Sequence, residues 1–170
     1  MKHISIFFLV ISLLVSMVGC SRIPKDELVT FYYPRAAYTY QGEDSVIASE
    51  ARSKDGHAVW SKLLQYYIQG PEDIDLINPF PADLDIASVQ ADGTVLKIIV
   101  SDHLADLSEI QLILACASLA KTAMGISGAT SVRISCVTKL IGDKSYIVID
   151  DSTIIFEDMP PASTESTQQE

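Results

Sequence analysis

"DIASVQADGTVLKIIVSD", residues 85–102, decides the fold. Two runs rich in strand-forming residues, Asp85–Gln90 and Thr94–Val100, flank Asp92-Gly93. An Asp-Gly pair between such runs signals a tight type I′ hairpin. The flanking elements must then pack on an antiparallel pair in the middle of the chain.

Downstream, "SEIQLILACASLAKTAMG" (residues 108–125) opens with Ser108 and Gln111 in capping-box spacing and closes on Gly125 in a C′ position. At 100° per residue, Gln111, Ser118, Lys121 and Thr122 share a polar sector with Leu114, and the rest of the circle is apolar. An arc this wide requires deep burial or a covering partner. Three strand-like runs follow, "TSVRISCVT", "SYIVID" and "STIIFED", punctuated by turn signals at Gly142-Asp143 and Asp150-Asp151. Upstream, "ELVTFYYP" and "DSVIASEAR" are extended runs about a turn at Gln41-Gly42. Asp55 is then placed to cap a helix over "GHAVWSKLLQYYIQ", with His57 in its first turn and a core stripe of Trp60, Leu63, Leu64 and Tyr67. Gly70-Pro71 stops it, and "NPFP" (residues 78–81) is loop. The sum is α+β: two helices packed on a small mixed or antiparallel sheet, with extra C-terminal strands.

The ends carry a different message. Residues 1–19 have Lys2 before an apolar run from Ile4 to Val18, and Gly19-Cys20 stands where a signal peptide is cut. The run is shorter than the roughly 20 residues that span a hydrocarbon core. Gly19-Cys20 fits a bacterial lipobox, so Cys20 is expected to be the lipidated N-terminus, anchored by two acyl chains. Residues 20–27 form a short linker and residues 28–158 one domain. Residues 159–170, rich in Pro, Ser, Thr, Gln and Glu, have little to bury and are expected to be a disordered tail.

Charge and composition exclude more than they assign. With 12 basic against 22 acidic residues the surface disfavours nucleic acid and anionic headgroups as direct partners. Ser101-Asp102-His103 contains the letters of a hydrolase triad, yet adjacent side chains point apart. Asp73, Asp75, Asp83 and Asp85 lack the rhythm of a calcium loop, and two mature histidines, His57 and His103, without paired cysteines give no zinc motif. Glu50 with Asp55 is a carboxylate pair of undefined separation. No phosphate-binding glycine loop occurs, and Gly125-x-x-Gly128 marks a helix exit. Cys116 and Cys136 lie in apolar runs and suit buried free thiols; a disulfide between them is the other reading. These features indicate no enzyme, no cofactor and no metal site, and leave any ligand-binding residues unassigned.

The order "LVTFYYP", "EAR", a helix into "YYIQGP", a Pro-containing loop, "SVQADGTVLKIIVSD", a second helix and "ATSVRI" resembles the GerMN domain of spore germination and sporulation lipoproteins. The likeness covers about Leu28 to Val137 and is most specific at Leu64–Pro71 and Ser88–Asp102; the strands after Thr138 extend past the motif's usual end. It implies a fold similar to ring-building motifs, no catalytic residues, and partners among envelope proteins or copies of the chain itself. The expected setting is the outer face of a cell membrane, reached through the lipid on Cys20. The competing expectation is an envelope lipoprotein that binds a cell-wall fragment or small solute through Trp60 and Tyr32, Tyr33, Tyr66 and Tyr67.

Overall fold

The computed structural model describes residues 28–36, 46–54 and 56–153. The leader, Cys20 and its linker, the Gln41-Gly42 turn, Asp55, the last strand-like run beyond Thr153 and the tail lie outside them. The domain limit at Asp158 lies outside as well.

Strands form where β-branched and aromatic residues alternate. β1 (Leu28–Pro34) pairs antiparallel with β2 (Ile47–Ser53) as a two-stranded sheet. Helix α1 (Trp60–Tyr67) leads by loop to the hairpin of β3 (Ile86–Asp92) and β4 (Val95–Val100). A short 3₁₀ turn, Asp102–Asp106, precedes helix α2 (Glu109–Ser127), then β5 (Ser131–Cys136) and β6 (Ile147–Asp150). The second sheet runs β3-β4-β5-β6, with β4 and β5 parallel and the outer pairs antiparallel. Parallel neighbours need a crossover, and α2 supplies it. The α+β expectation holds, with the single small sheet divided into two.

Alternation sets the core. Leu96, Ile98 and Val100 of β4 and Val132, Ile134 and Cys136 of β5 are all buried, as a half-covered sheet requires. They join Ala115, Leu119, Ala120 and Ala123 of α2 and an aromatic group of Phe31, Tyr33, Tyr67 and Phe80 in one cluster that spans both sheets. Within that group the ring centroids of Tyr33 and Tyr67 are 4.8 Å apart, and those of Tyr67 and Phe80 5.3 Å in edge-to-face contact.

Several local expectations shift. The hairpin loop is Gly93-Thr94, one residue on from Asp92-Gly93, because Asp92 already pairs with Val95; Gly93 takes φ +60°. Helix α1 begins at Trp60 with Val59 at its N-cap and no side-chain cap, so His57 precedes the helix and packs its ring on Tyr66 at 5.4 Å. Trp60 is 36 % exposed, so the buried stripe of α1 starts at Leu63. Helix α2 keeps the Ser108 and Gln111 capping box but runs through Gly125 to end at Gly128, whose φ of +72° is the left-handed cap.

The larger correction concerns the polar sector of α2. Ser118 and Thr122 are fully buried, because α2 packs on β1 as well as on β4, β5 and β6. The Thr122 hydroxyl accepts the Tyr32 amide N–H at 2.9 Å. Helix α2 is long and apolar enough to cross a membrane, and half of its apolar window is buried inside this domain.

Candidate functional site

The motif residues that carry the GerMN resemblance form a lock. Arg52 of β2 is almost fully buried and donates to the Gly70 carbonyl at 2.8 Å, while its guanidinium lies over the rings of Phe31 (4.6 Å) and Tyr66 (4.5 Å). Two residues earlier on the same strand face, the Glu50 carboxylate accepts the Glu72 N–H at 3.1 and 3.3 Å. Gly70 has φ +112°, and a Cβ there would come within 3.1 Å of the Asn78 side chain. "EAR" and "QGP" are therefore one structural joint between β2 and the exit of α1, and Glu50 acts there as a backbone acceptor.

The triad letters separate. The Asp102 carboxylate accepts the N–H groups of Thr138 (2.8 Å) and Lys139 (3.0 Å) and the Thr138 hydroxyl. Those bonds, the Thr138 hydroxyl first, push its carboxyl down to about 2. His103 turns to Asp83 instead: Nε2 lies 3.1 Å from Oδ2, and Nδ1 lies 3.0 Å from the Asp83 carbonyl and 3.4 Å from the Ser101 hydroxyl. Serine, histidine and a different aspartate do meet, at an exposed turn where the Ser101 hydroxyl also accepts the Asp85 N–H at 3.1 Å.

Among the described residues, no group of three or more His, Cys, Asp or Glu is placed to hold a metal ion. Cys116 and Cys136 are free and buried, and burial pushes the Cys116 thiol up to about 12. Tyr33 and Tyr67 are core residues: the Tyr33 hydroxyl donates to the Tyr67 carbonyl at 2.7 Å, and the Tyr67 hydroxyl to the Tyr32 carbonyl at 2.6 Å. Burial raises both phenols above their usual range.

Two surfaces remain. The first is apolar: Ile110 (73 % exposed) and Ile113 (46 %) on the N-terminal half of α2, with Tyr146 and Val148 at β6. Ile113, Tyr146, Ile147 and Val148 line a groove of about 460 Å³, and Ile113, Leu112, Ile141 and Ile147 line a neighbouring one of about 480 Å³. Strand β6 is an end strand of its sheet, and among the described residues nothing pairs with its outer edge. The second is a cleft of about 440 Å³ lined by Thr30, Tyr32, Lys54, His57, Trp60 and Ile126, among others. Of the aromatics expected to hold a ligand, it gathers Trp60 and Tyr32 and leaves out Tyr33, Tyr66 and Tyr67. Lys54 and Ile126 had no local signal in the sequence, because only the packing of α2 on β1 brings them to one place.

No family model and no curated protein matches this chain. Among solved structures, the tandem GerMN domains of the sporulation protein GerM from Bacillus subtilis align over 66 % of this chain and 39 % of that one, at 14 % identity and TM-score 0.48. A protein described as a lipoprotein from Clostridium perfringens aligns over 74 % of this chain and 87 % of that one, at 16 % identity and TM-score 0.47. This chain thus spans well under half the length of the GerM structure.

Proposed function

We propose that this chain is a non-enzymatic assembly module of a bacterial envelope, docking through the α2 and β6 face onto a second copy or another envelope protein. The observation that carries the reading is the apolar groove that Ile113, Ile147 and Ile149 line along β6, with Ile110 and Ile113 exposed on α2 and with nothing pairing the outer edge of β6 among the described residues. A contiguous apolar surface rimmed by polar residues marks an interaction site more often than scattered exposed side chains do. The lipobox at Cys20 supports tethering at the outer face of the cell membrane, and the GerMN resemblance supports a setting in sporulation or spore germination. Confinement to a membrane raises the effective concentration of such modules, so a contact too weak to see in solution still assembles there.

The test compares wild type, Cys20→Ala and Ile113→Glu after mild crosslinking of intact cells. Wild type should give a discrete crosslinked species that each variant reduces. A yield unchanged by Ile113→Glu would contradict the proposed face. The cleft beside Trp60 favours a second reading, ligand capture, which does not depend on this face.

A further inference from the structure

The register of β1 decides which of its backbone groups are spent. Arg35 donates its N–H to the Val46 carbonyl (3.0 Å), and the antiparallel register from Leu28 to Pro34 is unbroken. In such a ladder every second residue exchanges bonds with the partner strand. Val29, Phe31 and Tyr33 therefore bond to β2, and Leu28, Thr30, Tyr32 and Pro34 turn their N–H and C=O groups to the other edge. Two of these have partners: Tyr32 gives its N–H to Thr122 and its carbonyl accepts from Tyr67, and the Pro34 carbonyl accepts the Ile77 N–H at 2.9 Å. Among the described residues nothing takes up the N–H or C=O of Thr30, and Thr30 stands in the wall of the Trp60 cleft.

The same cleft carries the Lys54 ammonium, the His57 imidazole and the half-exposed Trp60 indole, and none of its described lining residues is acidic. That is unusual on a chain with formal net charge −10. We propose that this cleft binds a short peptide bearing a free carboxylate. Its backbone pairs with the Thr30 N–H and C=O, as an added strand does at a sheet edge. Its carboxylate meets Lys54 and His57, and its apolar side lies against Trp60 and Ile126. The volume falls in the range of small-ligand sites, which suits a peptide end and excludes a long strand. A protein C-terminus and a cell-wall stem peptide share this chemistry.

Trp60 is the chain's one tryptophan, so its emission reports this cleft alone. The full-length protein is titrated with three probes: N-acetyl-trialanine acid, the C-terminal amide of the same peptide, and an N-acetylated tripeptide acid ending in D-Ala-D-Ala. At least one acid should change Trp60 emission saturably, with the amide binding about tenfold more weakly. Tighter binding of the all-L acid assigns the site to protein ends, and tighter binding of the D-Ala-D-Ala acid assigns it to wall peptides. Thr30→Pro removes the outward N–H and sets its ring in that place, at an edge position where proline is tolerated, and should weaken the acid about tenfold. Lys54→Gln, which leaves the strand untouched, should remove the preference for acid over amide. No saturable change with either acid, or equal affinity of acid and amide, would overturn the proposal. The α2 and β6 face takes no part in the readout, so failure here leaves the assembly reading standing.

Discussion

Arg52 shows how a short motif earns its place. Its buried guanidinium holds the Gly70 carbonyl, rests on two aromatic rings and comes within 3.9 Å of Glu72. Arg52→Met keeps apolar volume but leaves that carbonyl without its charged donor, a loss of about 2 kcal/mol in urea unfolding; an unchanged midpoint would show that the joint is dispensable. Asp102 gives a pH signature. Its carboxyl is held at about 2 against a usual 3.8, so its contribution is present above the usual value and is lost as pH falls through about 2. Asp102→Asn should accordingly flatten the fall of stability between those two pH values, and an acid limb identical to wild type would contradict the assignment. The Cys116 thiol, raised to about 12 by burial, should resist thiol reagents at neutral pH until the protein is unfolded. Rapid labelling of Cys116 in the native protein would contradict that burial.

At the scale of elements, helix α2 separates what the sequence carries from what it does not. Its start was legible in Ser108 and Gln111, since a capping box is a local device. The alternation of β4 and the glycine after Asp92 were equally local and gave the hairpin to within one residue. The apolar arc marked most of the buried side of α2, from Ala115 to Met124, but not Ser118 and Thr122, which read as a polar sector until β1, ninety positions away, lays an amide on Thr122. Thr122→Val keeps the shape and strands the Tyr32 N–H, so it should cost about 1–3 kcal/mol by thermal or urea unfolding; a neutral effect would mean that the hydroxyl is not the amide's partner. Trp60 was misplaced for a similar reason. A period of 3.6 assigned it to the core stripe, but it stands in the first turn of a short helix, where the covering element ends. The cleft it lines joins β1, the loop before α1 and the end of α2, and no window of sequence contains all three.

On the scale of the whole molecule, one apolar cluster spans both sheets, and α2 packs on each of them. The C-terminal half of α2 is consumed by that packing, while its N-terminal half presents Ile110 and Ile113 beside β6. The assembly proposed above requires such a face to stand open to a partner. The most direct measurement replaces Ile113 with a photo-crosslinking residue in the full-length protein, in intact cells, with the same residue placed at exposed Lys62 on α1 as control. The account expects a discrete adduct from position 113, identified by mass spectrometry as this chain or an envelope protein, lost when Ile110→Asp is added one helical turn away, and none from position 62. No adduct from position 113, or the same adduct from both positions, would contradict it.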